Sequence, residues 1–163
     1  MGAEKSGDHF ENASDGSTAS VGVSAFTLGY QGRPLQEFLE IIQRNHVTRV
    51  IDVRQNPRSR KPGFSSEPLK MALAHIGVAY MHLPELGCER ESRQALWRGA
   101  PTEGFLKDYR RKLADHSGAL AELIHWAGKS RSLLLCLERD PARCHRAVLG
   151  EQLRLNGFLV QDL

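Results

Sequence analysis

Long hydrophobic runs, a full set of cysteines and a dominant charge sign are all missing from this 163-residue chain. No stretch approaches the roughly 20 consecutive apolar residues of a membrane span, and the first residues lack the basic-then-apolar order of a secretory leader. The expectation is a cytoplasmic protein with no membrane partner. Cysteine is scarce and odd in number, with Cys88, Cys136 and Cys144 only, so a disulfide framework is not expected and the thiols are read as reduced. The formal charge is only +3, with a pI near 8.9, which favours anionic partners such as phosphates without requiring a long nucleic acid. No segment repeats.

The length suits one domain with a short appendage, since a chain of this size buries roughly 70% of its unfolded surface. Residues 1–24 are rich in Gly, Ser, Asp and Asn, with Phe10 as the only aromatic, and read as a disordered tail. The domain, residues 25–163, opens with a strand at Ala25–Leu28 and a turn at Gly29–Gly32. Pro34 suits the first position of a helix whose apolar face is Leu35, Phe38, Leu39 and Ile42, with Asn45 as a left-handed stop. Arg49–Arg54 is the second strand, followed by a Pro- and Arg-bearing loop to Phe64. Ser66 is read as the cap of a helix carrying Leu69, Leu73 and Ile76, and Val78–Leu83 as the third strand.

A long polar stretch, Cys88–Glu103, reads as a loop or irregular insertion of the kind that often covers a site. Helices follow at Glu103–Ala114 and Ala119–Lys129. Ser132–Leu137 is a continuous apolar strand, Asp140-Pro141 opens a last helix running to Leu155, and Phe158–Leu163 is the fifth strand. Strands that alternate with helices predict an α/β fold: a three-layer sandwich with a mostly parallel sheet of about five strands and helices on both faces.

In an open parallel sheet, ligands bind beyond the carboxyl ends of the strands. Those ends carry Tyr30, then Asp52 with Arg54, then His82 with Glu85, then Cys136 with Glu138. The chain resembles the domain-of-unknown-function family 488 through Thr27-Leu28-Gly29-Tyr30, Asp52-Val53-Arg54 with Pro57-Arg58-Ser59-Arg60, His82-Leu83-Pro84-Glu85-Leu86-Gly87, Cys136-Leu137-Glu138 and Cys144-His145-Arg146. The resemblance spans Thr27 to the C-terminus. It implies an α/β domain with a polar site and brings no established reaction.

Each constellation has a plain structural reading beside the functional one. Cys144, placed by Asp140 and Pro141 in the early turns of a helix beside Arg143, His145 and Arg146, has the surroundings of an activated thiol; it also shares a helical face with Val148 and Leu155, and Cys136 continues an apolar strand, so both cysteines are read first as core. The Cys136–Arg143 loop invites comparison with thiol phosphatases and sulfurtransferases, but it is one residue too long, lacks glycine and is interrupted by Glu138 and Pro141, which spoils the anion nest. A metal site from Cys136, Cys144 and His145, with or without His82, is not assigned, because the spacing is not that of a zinc knuckle and neighbouring side chains point to different sides of a helix. Asp52 inside an apolar strand needs a partner, and Arg54 lies two residues on, on the same side.

The leading expectation is therefore an enzyme acting on a small anionic ligand, phosphate- or nucleotide-bearing, at the carboxyl edge of the sheet. Glu138, Glu85, Cys136, Asp52 and His82 are the catalytic candidates, and Tyr30, Arg54, Arg58, Arg60 and Arg146 the anion-binding ones; Tyr30, Asp52, His82, Glu138 and Arg146 should then line one pocket. The alternative is a non-catalytic module that binds nucleic acid or another acidic partner through the Arg54–Lys61 loop and the Arg90–Arg98 insertion. No cofactor and no oligomeric state follow from the sequence.

Overall fold

Strand Ser132–Cys136 is buried at every position, with Leu133, Leu134 and Leu135 in its middle. Only a central strand covered on both faces accommodates such a run. In the computed structural model, which describes residues 24–163, it occupies that place. The elements in chain order are β1 (Ser24–Gly29), α1 (Leu35–Arg44), β2 (Arg49–Asp52), α2 (Ser66–His75), β3 (Ala79–His82), α3 (Arg90–Trp97), α4 (Thr102–Ala114), α5 (Ser117–Lys129), β4 (Ser132–Cys136), α6 (Arg146–Leu155) and β5 (Leu159–Asp162), with short 3₁₀ turns at Pro84–Leu86 and Pro141–Arg143. The sheet order is β3-β2-β4-β1-β5, and every neighbouring pair is parallel.

Strand parity divides the core in two. Leu133 and Leu135 join Phe26, Leu28, Val50, Phe38, Ile42, Leu69 and Leu73, which ties α1 and α2 to the sheet. Leu134 and Cys136 join Ala25, Ile51, Tyr109, Leu113, Leu123, Val148 and Leu149, which ties α4, α5 and α6 to it. This period-two division fits a three-layer arrangement.

Register brings the chemistry to one edge: Asp52 pairs with His82 on one side and Leu135 on the other, and Gly29 pairs with Cys136. Two glycines permit the close approach this edge requires. A Cβ at Gly29 would lie 1.7 Å from the Glu138 carbonyl oxygen, and one at Gly87 would lie 2.1 Å from the Gln55 amide nitrogen.

Several expected details change. The polar stretch after Cys88 holds a helix, α3, whose single buried residue is Leu96. Strongly polar and with few apolar residues, it offers no apolar stripe to read and is carried by good helix formers instead. Asp140-Pro141 opens the 3₁₀ turn, with the Asp140 side chain accepting from the Ala142 amide; the last helix begins later, at Arg146. Ser65 rather than Ser66 takes the cap position of α2. Asn45 is not left-handed, with φ −93°, and His46 takes that conformation at φ 51°. The expected tail lies outside the described residues apart from Ser24, which begins β1.

Candidate functional site

At the end of β2, Asp52 is fully buried and Arg54 nearly so. The Arg54 Nε donates to Asp52 Oδ1 at 2.8 Å and its Nη2 to Oδ2. The remaining terminal nitrogen, Nη1, donates to the Phe64 carbonyl at 2.8 Å and to the Tyr30 hydroxyl at 3.2 Å. Tyr80 donates its hydroxyl to Asp52 Oδ2 at 2.7 Å, and Tyr30 stacks on Phe64 with ring centroids 4.3 Å apart. Burial opposes the Arg54 charge, but Asp52 and then Tyr30 outweigh it and hold the guanidinium above its ordinary pKa. Burial, reinforced by Asp52, pushes the Tyr80 phenol up. The nitrogens of Arg54 are all engaged within the protein, so the Asp52–Arg54 pair fastens the following loop to the sheet. His82 adds a bond from its Nε2 to the Arg54 carbonyl at 2.8 Å.

At the end of β4, a second buried network forms. Cys136 and Cys144 both direct their sulfurs at Glu138 Oε2, at 3.0 and 3.3 Å. Cys144 precedes α6 in extended backbone, φ −138° and ψ 148°, which corrects its expected place within the helix. Its Sγ therefore lies 3.7 Å from the neighbouring His145 Nδ1, and the two side chains converge where a helical placement would have turned them apart. His145 Nε2 is 2.9 Å from the Val53 carbonyl. A carbonyl only accepts, so Nε2 carries the proton. Arg146 donates to Cys144 Sγ at 3.3 Å, to Thr27 Oγ1 at 3.2 Å and to the Glu138 carbonyl.

Burial acts against charge throughout this network, yet the partners redistribute it. Burial tends to raise the Cys144 thiol, but bonding from Cys136 and the nearby His145 and Arg146 bring it well below the ordinary range. Burial tends to lower His145, and Cys144 followed by Cys88 raises it above the ordinary imidazole value. Cys136 is pushed up by burial and then by Cys144 and Glu138; Glu138 is pushed up by burial and by Cys144. Glu138 Oε1 is buried and has no hydrogen-bond partner among the described residues.

Three clefts flank these networks, and α3 lines all of them. One of about 430 Å³ is walled by Gln31, Leu96, Trp97, Leu137, Glu138, Asp140 and Arg143. Another of about 460 Å³ includes Cys88, Ser92, Phe105, Tyr109 and Lys112. The third, about 530 Å³, is lined by Gln55, Asn56, Arg58, Ser59, Arg60, Arg90 and Arg93.

The residues expected to share one pocket do not. Tyr30, Asp52 and His82 belong to the β2 network and Arg146 to the β4 network, His82 half-buried and the other three buried; of the five, Glu138 alone lines one of these clefts. Glu85 stands exposed in the Pro84–Leu86 turn and lines none of these clefts. Arg58 and Arg60 come together in the basic cleft, joined by Arg90 and Arg93 from α3. Arg90, Arg93 and Trp97 were absent from the expected catalytic set because their helix has no apolar stripe; the four-residue spacing of Arg93 and Trp97 was the available signal. The expected helical geometry that turns Cys144 and His145 apart fails at Cys144, which is extended, while His145 is helical at φ −58° and ψ −17°.

The model for the family described as "Domain of unknown function DUF488" matches residues 34–153. No curated protein matches the chain, and no solved structure does.

Proposed function

The chain belongs to this DUF488 family, and we propose that it is an enzyme that holds a small phosphate-bearing, nucleotide-like substrate at the carboxyl edge of the sheet. The observation that carries this reading is the cleft in which Arg58, Arg60, Arg90 and Arg93 converge with no carboxylate among its lining residues. None of the four forms an ion pair with a described residue, and Arg93 Nε is buried without a partner. Guanidinium forks with free donors match phosphate oxygens in pairs of parallel bonds. The volume, about 530 Å³, falls in the range of small-molecule sites, roughly 300–1,000 Å³.

Trp97 supports the nucleotide-like part of the reading. Trp97 is 55% exposed, its ring lies 5.5 Å from the Arg93 guanidinium of the arginine cleft, and it lines the cleft walled by Glu138. A substrate with its phosphate on the arginines would stack a planar ring on Trp97 and bring its other end to Glu138. Glu138 is then the catalytic residue, and Arg58, Arg60, Arg90 and Arg93 the binding ones.

A thermal-shift screen of pyrophosphate, nucleoside phosphates and sugar phosphates tests this, because a ligand that binds only the folded state raises the melting temperature. A phosphate-bearing compound should stabilise the wild-type chain, and the shift should vanish in Arg58→Ala with Arg93→Ala. Equal shifts in wild type and variant, or no shift with any compound, would contradict the reading. The second reading, a module for nucleic acid or another acidic partner, draws on Lys61 and Arg98 as further basic residues of the two segments that supply the cleft's arginines; it requires binding to an oligonucleotide that weakens steeply with salt.

A further inference from the structure

We propose that Cys136, Cys144 and His145, with Glu138 closing the set, form a binding site for a divalent transition metal of the zinc class. The ligating atoms of the first three lie within 4.8 Å of one another. Glu138 Oε2 is 3.0 Å from Cys136 Sγ and 3.3 Å from Cys144 Sγ, and Cys144 Sγ is 3.7 Å from His145 Nδ1. Zinc–sulfur bonds of about 2.3 Å and zinc–nitrogen or zinc–oxygen bonds of about 2.0–2.1 Å put neighbouring tetrahedral donors about 3.5 Å apart. The 3.3 and 3.7 Å separations fall near the edges of such a tetrahedron; the 3.0 Å one is shorter, and the three-residue group as a whole spans up to 4.8 Å, so binding draws the side chains together around the ion.

The surroundings are those of a ligand set. Val53 accepts from His145 Nε2 at 2.9 Å, which leaves the Nδ1 lone pair facing the sulfurs; a ligating histidine is ordinarily oriented in this way, through a bond from its other nitrogen. Arg146 reaches Cys144 Sγ with Nε at 3.3 Å while its other nitrogens go to Thr27 and the Glu138 carbonyl, so it flanks the site without entering it. Two thiolates and a carboxylate bring three negative charges into a buried space. A divalent ion and the Arg146 guanidinium together neutralise them, whereas buried charge without compensation is expensive. The buried Glu138 Oε1 has no partner among the described residues, so this carboxylate keeps unused ligating capacity next to the sulfurs that its Oε2 meets, where buried carboxylate oxygens are otherwise bonded.

The frame is also rigid. Cys136 ends the central strand, and Cys144 and His145 are held between the Asp140-anchored turn and α6. Soft sulfur and imidazole donors select zinc-like ions over magnesium or calcium. Binding releases to solvent the protons that the two sulfurs, His145 Nδ1 and Glu138 still hold, and leaves the metal's oxidation state unchanged. The four arginines take no part, and Glu138 is shared with the proposed substrate site; cobalt titration without any phosphate compound and the thermal-shift screen without metal test the two readings separately.

Cobalt(II) titrated into the metal-stripped full chain is the probe. The expected result is saturation at one equivalent, with a thiolate-to-cobalt charge-transfer band and the intense visible bands of a four-coordinate site, both removed by added zinc. Cys136→Ser and Cys144→Ser should each lower cobalt affinity at least tenfold and weaken the charge-transfer band, while Cys88→Ser keeps it. Zinc-edge X-ray absorption on the wild-type chain needs no variant and should find two sulfur scatterers at about 2.3 Å. Absence of the charge-transfer band, its persistence in both serine variants, or a zinc shell of oxygen and nitrogen alone would each overturn the proposal.

Discussion

Two strand ends, β2 and β4, carry the same kind of burden, charged groups in the interior at the carboxyl edge of one sheet, and they handle it differently. At β2, Asp52 has both oxygens bonded, and every side-chain nitrogen of Arg54 has an acceptor. At β4, one oxygen of Glu138 receives two thiols while the other has no partner among the described residues. A saturated network has nothing left to offer a ligand. An unsaturated one of soft donors does, and on the readings proposed above that difference gives β2 to architecture and β4 to chemistry.

The sharpest way to break this contrast is to remove one member of the β2 pair. Asp52→Ala or Arg54→Ala leaves an uncompensated buried charge and should cost about 3–5 kcal/mol of stability, measured by urea unfolding; the double substitution should cost less than the sum, because the partners share one interaction. Gly29→Ala should come next, at about 1–3 kcal/mol, since its methyl meets the Glu138 carbonyl, which the sheet and Arg146 hold in place. Glu138→Gln should change metal-free stability by no more than about 1 kcal/mol, below the cost of Asp52→Asn in the same assay. Arg58→Ala should leave stability within about 0.5 kcal/mol while weakening pyrophosphate binding in calorimetry by about 1.5–3 kcal/mol, the worth of a hydrogen bond to a charged group.

The sheet was legible wherever a strand had a single possible role. Leu133 to Leu135 could only be central, and Phe38 and Ile42 sit on the buried face their spacing indicates. The Asp52–Arg54 partnership followed from two-residue spacing on one strand face. What was hidden depended on backbone outside regular helix and strand. One extended residue, Cys144, decides whether its sulfur faces His145 or turns away, and no periodicity encodes that. The basic cleft was half visible: Arg58 and Arg60 stood out in a loop, while Arg90 and Arg93 belong to a helix with one apolar anchor, Leu96, too little to mark a face. No helix among the described residues is long and apolar enough to cross a membrane, in line with the absence of apolar runs.

Crystals grown with zinc and measured on both sides of its absorption edge test the contrast between the two strand ends most directly. The account predicts one anomalous peak within bonding distance of Cys136 Sγ, Cys144 Sγ and His145 Nδ1, and none at Asp52 and Arg54. A map with no peak between the two sulfurs, and Glu138 Oε1 bonded instead to an ordered water, would contradict it.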